Sequence, residues 1–120
     1  MEISLVGGGK VLSLAEVEVN TISVPPPVNV ALGKPTSQSS TRSAGGASSR
    51  AVDGNTSGQW GKSSVTHTQT QSNPWWRVDL ENSYEISSIN IFNRVDCCSE
   101  RLANFSLKIL NAGATVWTYK

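Results

Sequence analysis

Trp75-Trp76-Arg77-Val78-Asp79-Leu80 and, three residues on, Tyr84-Glu85-Ile86-Ser87-Ser88-Ile89-Asn90-Ile91-Phe92 read as two short strands divided by polar residues. Aromatic and β-branched residues dominate both, and apolar and polar positions alternate as on a half-buried sheet. Working outward, Phe105 to Leu110 and Thr115 to Tyr119 have the same character, and Lys10 to Val19 alternates Val11, Leu14 or Ala15, Val17 and Val19 with polar neighbours. A further short strand is possible within Val28 to Pro35. Many short strands with Asn, Ser, Asp and Gly between them predict an all-β fold, an antiparallel sandwich or jelly roll. No stretch of ten or more residues keeps a helical stripe. The Ser, Thr, Gly and Ala run from Thr36 to Ser49 is too small in side chain for a core and predicts a surface loop. Thr21 to Pro27 ends in three prolines and predicts a semi-rigid connector.

The chain has 120 residues, 38% of them apolar and 16% charged, with a net charge of +1. That suits one compact domain. Ten basic against nine acidic residues supply no footprint for a phosphate backbone or an anionic lipid surface, so neither nucleic acid nor a membrane is an expected partner. No apolar run approaches the ~20 residues of a membrane span. The opening Met1-Glu2-Ile3-Ser4-Leu5-Val6 lacks the basic start and long apolar stretch of a secretory signal, so any export signal is expected to be absent or already removed.

The two cysteines are adjacent, Cys97 and Cys98. They cannot staple distant segments, and with a single histidine, His67, they cannot supply a zinc site alone. Two readings stay open: half-buried reduced thiols, or a strained ring, because a trans peptide holds neighbouring α-carbons ~3.8 Å apart, short of the usual disulfide span. Several tempting motifs fall away. Gly7-Gly8-Gly9-Lys10 lacks the Ser/Thr of a phosphate loop and reads as a turn. The sequons at Asn55 and Asn104 are too short a pattern to assign a glycan, and no G-x-S-x-G elbow is present. A Cys97 nucleophile with His67 as base would be consumed by oxidation onto its neighbouring thiol.

What remains is His67, then, after twenty-six intervening residues, Arg94-Val95-Asp96, and after four more residues Arg101, with Cys97-Cys98 inside the last interval. This constellation resembles the signature of the F-type lectins, the fucose-binding branch of the discoidin-like, galactose-binding-domain-like sandwiches. The resemblance extends through Asn29 to Pro35, Ala51 to Asn55 and Asn73 to Leu80. The chemistry is intelligible by itself. Sugar hydroxyls both donate and accept, and a site for them needs pre-aimed donors without proton ambiguity, which Arg94 and Arg101 supply. Neutral His67 can donate from one ring nitrogen while the protein holds the other.

The resemblance implies that these three side chains grip the 3-hydroxyl, 4-hydroxyl and ring oxygen of α-L-fucose, with Asp96 orienting the arginines. It implies a Cys97–Cys98 disulfide offering a flat face to the sugar, and Trp60, seven residues before His67, lining a pocket for the C6 methyl, where the plain alternative is one more core tryptophan. Burying that methyl contributes about 0.8 kcal/mol. Trp75 and Trp76 alternate along a strand, so at least one belongs to the core. Asp53-Gly54-Asn55 reads first as a plain turn. The resemblance makes it a structural calcium site with the side chains of Asp53, Asn55 and Glu16 and backbone carbonyls near Arg50, Ser64 and Ala15, all hard oxygen donors.

One departure stands out. The family's closing phrase, Leu-Ser-Leu-Ala-Glu-Val-Glu-Val, here comes first, at Leu12 to Val19. The expected division is therefore residues 1–20 as the family's last strand placed first, 21–27 as a linker and 28–120 as the main body, either a circular permutation or a cut out of phase from a tandem array. A missing strand would expose a sheet edge, so a homo-oligomer is expected. The resemblance implies a secreted or extracellular, non-enzymatic lectin for fucosylated glycans. The alternative is a module for galactose-type sugars or phospholipid head groups, since fold alone does not fix the ligand.

Overall fold

The computed structural model describes residues 1–21, 28–42, 44–62, 64–81, 84, 86–111 and 114–119. Among the described residues seven strands form: β1 (Glu2–Ser4), β2 (Glu16–Thr21), β3 (Thr36–Gln38), β4 (Trp75–Val78), β5 (Ile86–Phe92), β6 (Ser106–Asn111) and β7 (Ala114–Tyr119). They make a five-stranded sheet in the order β3-β4-β1-β6-β7 and a two-stranded sheet of β2 and β5, every pair antiparallel. The only helical elements among the described residues are short 3₁₀ turns. The expected all-β sandwich is what forms.

Alternation decides which faces meet. On β4, Trp76 and Val78 are buried while Arg77 is exposed and Trp75 half-buried. On β2, Val17 and Val19 are fully buried. These side chains close a core with Ile3, Leu5, Leu12, Leu14, Val52 and Leu107. Trp76 is the core tryptophan, and its indole N–H donates to the Ser48 carbonyl at 3.0 Å, tying the 3₁₀ turn Ser48–Val52 to the sheet.

The sequence reading needs four corrections. The strand expected over Lys10 to Val19 begins only at Glu16, because Leu12 and Leu14 run antiparallel to Thr66 and Thr68 in an unusual ladder. Leu12 N–H and Leu14 N–H donate to the threonine hydroxyls, at 3.0 and 2.9 Å, while Thr68 N–H and Thr66 N–H return to the leucine carbonyls. Within Val28 to Pro35 the backbone turns, leaving only an isolated bridge between Asn29 and Asn20. The supposed surface loop from Thr36 opens with β3 and continues into 3₁₀ turns at Ala44–Gly46 and Ser48–Val52. Finally, β1 lies between β4 and β6, in the middle of the larger sheet, where no strand had been assigned. Most of the proline connector, residues 22–27, lies outside the described residues.

Candidate functional site

His67 sits in the buried stretch 64–68, whose alternation sends Thr66 and Thr68 toward Leu12 and Leu14 and leaves the imidazole on the opposite side. The loop after β3 closes on its backbone at two points. Arg42 N–H donates to the His67 carbonyl and His67 N–H donates to the Gly46 carbonyl, both at 3.0 Å. The approach requires glycine: a Cβ on Gly46 would lie 2.8 Å from His67 Cβ. The Trp60 loop meets the Arg94 loop in the same fashion. Val95 N–H donates to the Gly58 carbonyl at 2.8 Å, and a Cβ on Gly58 would lie 2.7 Å from the Asn93 carbonyl oxygen.

Asp96 organises this junction. Its carboxylate accepts from Arg94 Nε at 2.7 Å and from Trp60 N–H at 3.0 Å. These contacts, the Arg94 hydrogen bond foremost, hold the Asp96 carboxyl below its ordinary value. Arg94 lies over the Trp60 ring at 5.4 Å from its centroid, and Trp60 meets His67 edge-on with centroids 5.5 Å apart. Arg101, on the 3₁₀ turn Ser99–Leu102, brings Nη1 to 3.4 Å from His67 Nε2. Histidine, both arginines and the tryptophan therefore converge at one place.

The imidazole's role differs from the sequence expectation. His67 Nδ1 lies 2.7 Å from the Thr68 carbonyl oxygen, which can only accept, so Nδ1 carries the hydrogen. In the neutral ring Nε2 is then an acceptor. Burial lowers the His67 pKa below 6.5, with the charges of Arg101, Arg42 and Arg94 adding to it, and the Thr68 hydrogen bond opposes them. The Nε2 lone pair thus faces the guanidinium donors and accepts from Arg101 Nη1–H in a long bond of 3.4 Å, which a ligand can replace. A hydroxyl, as donor and acceptor, satisfies both.

Cys97 and Cys98 form a disulfide with α-carbons 3.7 Å apart, so the reading as reduced thiols is set aside. Cys98 takes a left-handed φ of 64°, unusual for a residue with a side chain, and its carbonyl accepts from Arg101 N–H at 3.0 Å. The disulfide lies in the loop between the Arg94–Asp96 pair and the turn carrying Arg101.

Behind the Trp60 loop, the Glu16 carboxylate is fully buried. Its Oε2 accepts from Gly54 N–H at 2.8 Å, and its Oε1 has no hydrogen-bond partner among the described residues. Burial first, and then the neighbouring Asp53, push this carboxyl up to about 7. Asp53 accepts from Asn55 N–H at 3.0 Å, Asn55 accepts from Ser57 N–H at 3.0 Å, and Ala15 and Ser64 are fully buried beside this turn's partners. Among the described residues no three His, Cys, Asp or Glu side chains gather as a metal cluster. The calcium set expected here has only two carboxylates, completed by amide and carbonyl oxygens. An orphaned, buried carboxylate oxygen beside a second carboxylate is chemistry that fits a hard divalent cation.

The sequence reading missed Arg42, Gly46 and Gly58, and it gave Arg50 only a carbonyl. The Arg50 guanidinium in fact lies 5.6 Å from the Trp60 ring centroid. No pattern announces these positions, because two of them act through the absence of a side chain.

The sequence profile of the F5/F8 type C group described as NedA-like, galactose-binding domain matches residues 50–119, which span the turn at Asp53 and the whole His67 to Arg101 constellation. The chain belongs to that family. Its relatives place it in the F-type lectin branch. It is 44% identical over 85 residues to a fucolectin of Anguilla anguilla, covering 68% of this chain and 54% of that protein. To fucolectin-5 of Anguilla japonica it is 42% identical over 88 residues, 70% of this chain and 47% of that protein. A pentraxin fusion protein of Xenopus laevis is 33% identical over 63 residues, 52% of this chain and 15% of its own length. This F-type lectin domain spans about half the length of the fucolectins it matches. No solved structure matches it. No helix among its described residues is long and apolar enough to cross a membrane.

Proposed function

We propose that this domain is a non-catalytic lectin for terminal α-L-fucose on glycans. The observation that carries the reading is the convergence of His67 Nε2 and Arg101 Nη1, 3.4 Å apart, with Arg94 held in place by Asp96. The axial 4-hydroxyl of fucose donates to His67 Nε2 and accepts from the arginines, whose charge-assisted bonds also reach the 3-hydroxyl and ring oxygen. An equatorial hydroxyl points away from that junction. Trp60 receives the C6 methyl, worth about 0.8 kcal/mol, and the Cys97–Cys98 disulfide faces the ring. A vicinal disulfide persists in an oxidising compartment, which supports an extracellular setting.

Calcium, held by Asp53, Asn55 and Glu16 with carbonyls near Arg50, Ser64 and Ala15, would neutralise the paired carboxylates and fix the turn that precedes Trp60. Its role in this reading is structural. Asp53→Ala should lower the melting temperature and abolish its dependence on added calcium. A wild-type protein whose melting is indifferent to chelator would remove the metal from the reading. Self-association is the remaining element. β7 pairs only with β6 among the described residues, and single sugar sites gain from multivalency. Sedimentation of a single monomeric species would exclude it.

The test of the sugar is titration with methyl α-L-fucoside, methyl β-galactoside and phospholipid vesicles. Binding of the fucoside alone is expected, with loss in Arg94→Ala and Arg101→Ala while the fold survives. Equal response to galactoside, or response to vesicles only, would favour the alternatives.

A further inference from the structure

The chain holds five arginines, Arg42, Arg50, Arg77, Arg94 and Arg101, and four of them surround His67 and Trp60, although the protein carries a net charge of only +1. Arg77 alone is elsewhere, paired with Glu2. Around the site the acidic residues are Asp96, Asp53, Glu16 and, next to Arg101 on its 3₁₀ turn, Glu100. Asp96 is committed to Arg94 and to Trp60 N–H, and Asp53 faces Glu16. Among the described residues Arg42, Arg50 and Arg101 have no carboxylate within 4.0 Å.

A neutral monosaccharide does not account for four guanidinium groups. Arg94 and Arg101 already present several N–H donors each to the few acceptors on one face of fucose. The other two, Arg42 and Arg50, stand either side of Gly46, whose carbonyl accepts from His67 N–H. Arg42 is exposed, yet its backbone is fixed on the His67 carbonyl and its charge helps to keep the imidazole neutral. Arg50 is half-buried and rests 5.6 Å from the Trp60 centroid, on a turn fixed to the core by Trp76. Stacking on Trp60 uses the face of a guanidinium and leaves its N–H edge free. The ordinary alternative, solvated surface arginines, would scatter them. Gathering like charges costs self-repulsion that an anionic ligand removes, and the planar guanidinium fork matches sulfate and carboxylate oxygens.

We infer that the domain takes its fucose on an acidic glycan, with Arg42 and Arg50 gripping an oxyanion, a sulfate ester or a carboxylate, carried by the sugar next to the fucose. The inference rests on the fucose reading and narrows its substrate class.

Three trisaccharides with one fucosylated core, neutral, O-sulfated and carboxylated on the adjoining sugar, together with methyl α-L-fucoside, test it by calorimetry in low and high sodium chloride. At least one acidic form should bind about tenfold more tightly than the neutral form at low salt, the margin shrinking as the salt screens it. Which one does so identifies the oxyanion. Arg42→Gln and Arg50→Gln should each lower the ratio of acidic to neutral affinity severalfold, read at a pH high enough to keep the His67 ring neutral in every variant. If neutral and acidic forms bind alike while the fucoside binds, this inference falls and the fucose reading stands. If wild-type protein ignores methyl α-L-fucoside, both fall. An acidic margin that survives Arg42→Gln and Arg50→Gln would overturn the assignment to these residues.

Discussion

The two ends of the sandwich are built to different standards. At the site, Thr66, His67 and Thr68 are buried, and glycine-only approaches at Gly46 and Gly58 lock three loops together. Elsewhere, between β5 on one sheet and β6 and β7 on the other, the interior stays open as an apolar groove of about 740 Å³. Ile86, Ile89, Ile91 and Ile109 there are only half-buried, and Trp117 and Tyr119 remain 49% and 52% exposed. Packing is thus concentrated where side chains must hold a fixed direction, since a recognition site loosened by an ångström loses its converging hydrogen bonds.

The largest effect should come from removing the tie between core and site. Trp76→Ala opens a cavity and orphans the Ser48 carbonyl, at a cost of about 3–5 kcal/mol. Chemical denaturation measures it. A loss below about 1 kcal/mol would mean that the packed end is no firmer than the open one. Next comes Gly46→Ala, whose new methyl would sit 2.8 Å from His67 Cβ. Overpacking of that kind costs about 1–3 kcal/mol, and the displaced imidazole should abolish fucoside binding in a still-folded protein. Retained affinity, measured by calorimetry, would show that the loop yields without moving His67.

How much of this contrast was readable beforehand depends on the kind of interaction. β4, β5, β6 and β7 were legible because alternation and aromatic content are local properties, and the site residues because their spacing survives in the chain. β1 was not, because three residues are too few for a period to show. The segment from Lys10 to Ala15 looked like strand, but its partners Thr66 and Thr68 answer with hydroxyls as well as carbonyls, a pairing no hydrophobic pattern encodes. Gly46 and Arg42 were hidden in a run of small residues because their work is done by backbone at distant positions. The tautomer of His67 depends on one carbonyl, that of Thr68, and only coordinates reveal it.

The tautomer makes acid a gentler probe of the same end. The His67 pKa is lowered from 6.5, so the folded protein keeps a neutral ring where the unfolded chain would take a proton. The His67 contribution is fully present above 6.5 and lost as pH falls through the folded value. Protonation also turns Nε2 from acceptor to donor among three arginines, so fucoside affinity should decline over the same range. Glu16, pushed up to about 7, acts with the opposite sign on stability, since acid neutralises a buried carboxylate. Affinity is therefore the cleaner measurement. A fucoside affinity that stays unchanged while the His67 ring, followed by NMR, takes up its proton would contradict the acceptor role of Nε2.

The smallest effect is expected at the open end. Trp117 is 49% exposed and stacks loosely on Tyr119, with centroids 6.5 Å apart. Trp117→Thr keeps strand propensity and surrenders only the buried part of the ring, so the loss of stability should stay under about 1 kcal/mol, well below that of Trp76→Ala. Fucoside affinity should not change, because the groove and the His67 cluster share no residue. A loss as large as that of Trp76→Ala would mean that this groove is closed in solution, by self-association that covers Trp117, and sedimentation of the two proteins would separate that outcome from simple unfolding.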